Sequence, residues 1–252
     1  MITVEEAEEK ISGELKPLAI EKIPFECATG RILRKHIKAD RALPPYDRVM
    51  MDGIALSSKD WISGCRSFRV NGLQLPGSPP LTLDKPDHCI KAMTGSVMPK
   101  GCDIIVPKEE LDEQGEIIRV NREYKAKPRR FLHNCGSDCM KGDVLISPNE
   151  ILGSKEIAVA ASCGLEKLSV TRKIKIAVID TGDELIEVGE PIKPYQIRRS
   201  NAHAITSACD TLPFVEAIST HCPDNPEIMN KLVSEALQAH DIVLLCGGVS
   251  KG

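Results

Sequence analysis

Ile174-Lys175-Ile176-Ala177-Val178-Ile179, running directly into Asp180-Thr181-Gly182-Asp183-Glu184-Leu185, is the stretch that decides the fold. An apolar run rich in Ile and Val predicts a strand buried on both faces, as the inner strands of parallel sheets are. The pattern then repeats. Ser200-Asn201 is placed to cap a helix through Ala208, and Phe214 to Ile218 reads as a second strand. Asn225-Pro226 is placed to cap and start a helix to about Ala239, and Ile242 to Leu245 reads as a third strand. Strand, helix, strand, helix, strand predicts a right-handed, doubly wound parallel sheet. The residues after the third strand, Gly247-Gly248-Val249-Ser250-Lys251-Gly252, leave that sheet unfinished, which predicts a piece of a longer protein.

Upstream, the grammar is different. Thr3 and Glu6 form a capping-box pattern ahead of Ala7, Ile11 and Leu15, which predicts a short helix ended by Pro17. Ile20 to Phe25 reads as a strand, Ala28 to Ile37 as a helix, and Ser154 to Cys163 as another helix. Between Ile54 and Val120 the apolar runs are short (Phe68 to Val70, Ile104 to Val106, Ile117 to Val120) and punctuated by Gly and Pro, which predicts a small β-rich domain with long loops. Lys125 to Arg130 reads as a solvated basic linker.

Composition narrows the function classes. A chain of 252 residues, 42% hydrophobic, has enough apolar material for a sizeable core. Its charged residues nearly cancel, to a net −3, so no basic footprint argues for nucleic acid. Four Phe, three Tyr and one Trp are too few to build base-stacking platforms. No stretch approaches the roughly 20 apolar residues a bilayer requires, and no basic start precedes an apolar run, so neither a membrane nor a secretory route is expected. The expected location is the cytoplasm. There the ten cysteines should be thiols, most of them small buried hydrophobes.

In open α/β sheets, ligands bind beyond the carboxyl ends of the strands. Two of those ends are chemically unusual. After the first strand, Gly182 permits a tight turn and brings Asp183 and Glu184 to a helix N-terminus or a metal-binding position. After the third, Gly247-Gly248-Val249-Ser250 offers backbone N–H groups and a hydroxyl to an anion. Elsewhere, Leu43-Pro44-Pro45-Tyr46-Asp47-Arg48-Val49-Met50-Met51-Asp52-Gly53 combines a stiff Pro pair, acids and a Gly. Met93-Thr94-Gly95-Ser96, followed by Met98-Pro99-Lys100-Gly101, is a hydroxyl- and glycine-rich loop. Each alone is also what an ordinary turn or acidic cap looks like.

Together, and in this order, the segments resemble the molybdopterin molybdenumtransferase family, which includes the catalytic domain of gephyrin-type proteins. Pro45-Tyr46-Asp47 with Met51-Asp52-Gly53, Met93 to Gly101, Thr181 to Leu185, and Gly247 to Ser250 are each similar to a family motif, as is Ile197 to Asn201. The resemblance implies an α/β and β multidomain fold: an elongated, partly helical, discontinuous domain over residues 1–42 and 129–171, an inserted β-rich domain over 43–128, and an incomplete molybdopterin-binding α/β domain over 172–252. A C-terminal β-barrel, usual in the family, falls outside the chain. Three departures stand out: Arg48 where many members have Asn, Arg199 where many have Asp, and Gly136-Ser137-Asp138 in place of Gly-Glu-Asp. Both arginines could add charge beside the pterin phosphate or oxyanion, but they read first as exposed ion-pairing groups.

The reaction the resemblance implies converts adenylylated molybdopterin and molybdate to molybdenum cofactor and AMP, with Mg2+ as the cation. Asp52, Thr94, Asp138, Asp183, Glu184 and Asp224 are the implied catalytic residues. Gly182, Ser200, Asn201, Gly247, Gly248 and Ser250 are implied to bind the pterin compound. Carboxylates repel phosphate, so Asp52, Asp183 and Glu184 are assigned to the cation. The family works as a homodimer, which implies that Asp52 and Thr94 meet Asp183 across a subunit interface, and the upstream partner is a molybdopterin adenylyltransferase. Two rivals accompany this reading. One is a non-catalytic molybdopterin-binding or scaffold paralogue, and the other is a zinc site at His133, Cys135 and Cys139.

Overall fold

The computed structural model describes residues 2–247, and these pack as two compact units. Lys38–Val144 forms one unit, and the segments before and after it form the other. Residues 129–144, assigned from the sequence to the partly helical domain, therefore group with the β-rich unit. The reason is pairing: the strand Leu132–His133 lies antiparallel to Arg48–Val49.

The first segment contributes α1 (Val4–Glu14), β1 (Ile20–Pro24) and β2 (Ile37–Lys38), the last straddling the unit boundary. Thr3 and Glu6 form the expected capping box, with Thr3 Oγ1 accepting from Glu6 N at 3.2 Å. None of the helix's residues is buried. The helix expected from Ala28 to Ile37 does not form. Gly30 takes φ +77°, Ile32 and Leu33 make antiparallel bridges to Ile151 and Val170, and Arg31 turns inward to pair with Glu21 and donate to the Thr171 carbonyl at 2.7 Å. Apolar residues at helical spacing here serve an extended segment packed on the same core, so tertiary contacts override local propensity.

The β-rich unit carries β3 (Arg48–Val49), β4 (Gly53–Leu56), α2 (Ser58–Ile62), β5 (Ser67–Gln74), β6 (His88–Ala92), β7 (Ile104–Pro107), β8 (Leu111–Gln114), β9 (Ile117–Val120) and β10 (Leu132–His133). Six of them form one mixed sheet in the order β7-β4-β6-β5-β9-β8. Alternation along β4 divides it between two cores: Ile54 and Leu56 pack with Phe68, Trp61 and Ile118, whereas Ala55 packs with Val49, Ala92 and Leu132. Gly53 has no alternative residue at its position, because a Cβ there would lie 2.0 Å from the Val106 carbonyl oxygen.

The chain then returns through β11 (Val144–Ile146), which straddles the other boundary, α3 (Ser154–Ser162) and β12 (Lys167–Thr171), which pairs antiparallel with β1. Leu33, Ile37, Leu152, Ala160, Leu168 and Val170 make the core of this part. There follow β13 (Ile174–Thr181), β14 (Leu185–Ile186), β15 (Ile197–Arg198), α4 (Asn201–Asp210), β16 (Val215–Cys222), α5 (Pro226–Ala239) and β17 (Ile242–Cys246). The sheet order is β16-β13-β17, all parallel, as the sequence predicted. Ile176 and Val178 of β13 pack under Ala202 and Ile205 of α4, while Ala177 and Ile179 pack under Ala236 and Val233 of α5. Helices thus cover both faces, which is why this strand reads as an unbroken apolar run. Asn225 caps α5, its Oδ1 accepting from Glu227 N and Ile228 N at 2.9 and 3.2 Å.

All ten cysteines are free thiols, but only Cys89, Cys163 and Cys222 are buried, so the expectation that most would be core residues fails. Among the described residues, no helix is long and apolar enough to cross a membrane.

Candidate functional site

In the β-rich unit, the β4–β6 register pairs Gly53 with Ala92, which places Asp52 beside the turn that follows β6. There Thr94 donates twice to Asp52 Oδ1, from its backbone N and from Oγ1, each at 2.7 Å. These bonds, the backbone one first, hold the Asp52 carboxyl below the usual carboxylate range, with Lys108 adding to the effect. Asp52 is therefore ionised at neutral pH with Oδ2 left for a ligand. The Thr94 hydroxyl proton is committed to Asp52, so Thr94 acts here by orienting a carboxylate.

Asp138 lies in the same unit on a different set of partners. Its Oδ1 meets His133 Nε2 at 2.8 Å, and His133 Nδ1 meets Arg48 Nη2 at 2.9 Å. Arg48 can only donate, so Nδ1 accepts and the imidazole proton sits on Nε2, directed at Asp138. Arg48 therefore makes a hydrogen bond to a histidine, in place of the exposed ion pair expected of it. With both His133 nitrogens engaged, the zinc reading loses its first ligand. Among the described residues, no three His, Cys, Asp or Glu side chains gather as a metal cluster. Asp47, which the sequence reading had not singled out as a site residue, pins this loop. It accepts from Cys135 N and from Arg129 Nη2, both at 2.9 Å, so the basic segment is anchored at Arg129.

In the other unit, the acidic turn follows the end of β13. Gly182, with φ +142°, turns the chain, and a Cβ on it would lie 2.4 Å from a Glu184 carboxylate oxygen. Asp183 and Glu184 follow, exposed, and lead into β14, so the expected helix N-terminus is absent at this point. Asp183 Oδ1 accepts from the backbone N of Asp224 at 3.1 Å, which brings the loop after β16 to the acidic turn. His221 Nε2 reaches the Gly182 carbonyl oxygen at 2.9 Å from the same side.

Beside this turn, a pocket of about 160 Å³ is lined by residues of the strand end, the start of α4 and the turn at Gly247. Ser200 occupies the N-cap position of α4, but its side chain makes no capping bond, contrary to expectation. Asn201 opens the helix and lines the pocket. Gly247 takes φ +107° and comes so close to Thr181 that a Cβ would sit 2.8 Å from Thr181 Oγ1. Gly248 and Ser250 lie outside the described residues.

Sequence reasoning missed the charged cluster under this pocket. Arg199, read as an exposed ion-pairing residue, is 6% exposed. Its Nε donates to both oxygens of buried Asp180, at 2.9 and 3.1 Å, and its Nη1 pairs with Glu187. Two signals pointed to it: an acid at the end of a strand buried on both faces, and the Arg198-Arg199 pair before a helix start.

Comparison with known proteins places the chain in a family. The chain is 32% identical over its full length to the molybdopterin molybdenumtransferase of Synechocystis, covering 65% of that protein. It is 29% identical to the enzyme of the same name from Haemophilus influenzae, covering 62% of it. The chain thus spans less than two thirds of these curated relatives. Among solved structures, a molybdopterin biosynthesis MoeA protein of Pyrococcus horikoshii superposes with a TM-score of 0.85 at 27% identity, over 99% of this chain and 67% of that one. Residues 177–252 match a "Probable molybdopterin binding domain". With residues 2–164 matching the MoeA N-terminal region, domains I and II, the chain belongs to the MoeA family.

Proposed function

We propose that this chain is the substrate-binding part of a molybdopterin molybdenumtransferase, which inserts molybdate into adenylylated molybdopterin and releases AMP during molybdenum cofactor biosynthesis. The observation that carries the reading is the end of β13, where the Asp183-Glu184 turn, the Asp224 backbone and the pocket at Gly247 converge at the carboxyl edge of a parallel sheet. This geometry occurs in a chain matched along its whole length by relatives bearing that enzyme name.

Asp183 and Glu184 supply hard, exposed carboxylate oxygens with no cationic partner among the described residues, which suits Mg2+ held by one or two carboxylates and substrate phosphates. Bound there, Mg2+ would neutralise charge developing on the phosphoanhydride oxygens. Gly182 leaves room for the Glu184 carboxylate. Asp224 fixes Asp183 through its backbone N–H, while Ser200, Asn201, Gly247, Gly248 and Ser250 contact the pterin compound. In the β-rich unit, Thr94 holds Asp52 ionised and oriented for a second cation or substrate contact, and His133 orients Asp138. The division into a discontinuous partly helical domain, an inserted β domain and the α/β domain belongs to the same reading. So do a cytoplasmic homodimer and a molybdopterin adenylyltransferase as supplier of the substrate.

Isothermal titration with adenylylated molybdopterin, with and without magnesium, tests the proposal. The expected result is magnesium-dependent binding, lost in Asp183→Ala and weakened in Asp52→Ala. Absence of binding by the folded chain overturns the assignment of the pocket. Light scattering of the same sample tests the dimer.

A further inference from the structure

We propose that Arg199 Nη2 binds a phosphoryl oxygen of the ligand in the pocket at the end of β13, which makes Arg199 a specificity-determining residue of that site. The inference rests on the function proposed above, which supplies a phosphate-bearing ligand. It starts from a polar group that the fold leaves unsatisfied. Nε and Nη1 of Arg199 are taken by Asp180 and Glu187, but Nη2 is buried with no hydrogen-bond partner among the described residues. A guanidinium is always charged and carries only donors. Folded proteins leave few such donors unpaired, and the exceptions call for an explanation.

The surroundings point to a phosphoryl acceptor. Arg199 lines the pocket together with Thr181, Ser200, Asn201 and Gly247. The ten-residue helix α4 begins at Asn201, and its hydrogen-bond ladder starts only with Ala204 N on the Ser200 carbonyl oxygen. The earlier N–H groups have no side-chain cap from Ser200, so they and the helix dipole favour an anionic oxygen at this point. Thr181 and Ser200 add hydroxyls.

The charge balance shapes the prediction. Asp180 and Glu187 outweigh one guanidinium, and Asp183 and Glu184 add further negative charge nearby. A bare anion is repelled, so the phosphoryl group enters with a divalent cation. Arg199, clamped by two carboxylates, contributes a fixed donor direction rather than a positive field.

The test uses the full chain, isotopically labelled at arginine, titrated with inorganic phosphate in magnesium chloride, with magnesium chloride alone as the baseline. The Arg199 guanidinium resonances should move saturably with phosphate. Arg199→Lys retains a cation beside Asp180 and should weaken phosphate binding about tenfold, as loss of one charge-assisted hydrogen bond does. Should Arg199→Lys fail to fold, the wild-type resonances decide alone. Static Arg199 resonances at phosphate concentrations that bind elsewhere, no phosphate binding at all, or equal affinity in Arg199→Lys each overturn the proposal. Parallel titration with adenylylated molybdopterin separates the two readings. Equal binding by wild type and Arg199→Lys removes the role of Arg199 and keeps the function. Phosphate-responsive Arg199 in a chain that does not bind the pterin compound keeps the anion site and removes the function.

Discussion

The Asp52–Thr94 pair and the Asp180–Arg199–Glu187 cluster solve the same problem, holding a carboxylate in one orientation, by opposite means. Asp52 sits at the surface and is oriented by one residue's backbone N–H and hydroxyl. Asp180 is 2% exposed and depends on a buried guanidinium. A surface carboxylate keeps its water when its partner is removed, whereas a buried one is left without water or partner. Function and stability are therefore separable at Asp52 and entangled at Asp180. An acid available to a ligand belongs to the first kind, and a charge that shapes a pocket wall belongs to the second.

Arg199→Met should give the largest loss, about 3–5 kcal/mol in denaturant unfolding, because it strands the Asp180 carboxylate. Asp180→Leu together with Arg199→Met should recover most of it. If the double variant is no more stable than the single, burial of an unpaired charge is not what the cluster guards against. Next is the scaffold beneath Asp52. Gly53→Ala should cost about 1–3 kcal/mol, since its Cβ meets the Val106 carbonyl at 2.0 Å and β4 must shift against β7. A crystal structure showing an unshifted β4 would refute that cause.

Asp241 provides an intermediate case: Arg172 grips it, most strongly through the side-chain hydrogen bond, and its pKa falls from 3.8 to about 2. A carboxyl depressed in the folded state contributes stability that is full above its unfolded value and lost as pH falls through the folded one. Wild type should thus lose stability between about pH 4 and about pH 2 relative to Asp241→Asn, and parallel unfolding curves for the two proteins would contradict this. The smallest effect on stability is expected for Asp52→Asn, whose unfolding midpoint should match wild type while magnesium-dependent ligand binding drops. A lowered midpoint would mean that the Thr94 bonds hold the loop together and would erase the contrast with Asp180.

Much of the α/β unit was legible in the sequence, and for a definite reason. Period, caps and turn residues are local, so Ile174 to Ile179, Asn225-Pro226 and Thr3 with Glu6 announce their elements without help from distant residues. The motifs at Asp52, Thr94, Asp183 and Gly247 were likewise visible, because short glycine- and acid-bearing turns keep their spacing. The segment Ala28 to Ile37 was misread because apolar spacing suits a helix, whereas Leu33 and Arg31 answer to Val170, Glu21 and Thr171.

By itself, then, the sequence determined the order of strands and helices after Ile174, the family resemblance and the acidic turn at the sheet's carboxyl edge. All of these are written in neighbours along the chain. Only the tertiary structure decided that Thr94 serves Asp52, that His133 stands between Arg48 and Asp138, and that Arg199 is buried on Asp180 with one nitrogen to spare. A side chain's partners, and whether water can replace them, are set by segments that meet only when the chain folds. Local pattern carries no record of that meeting.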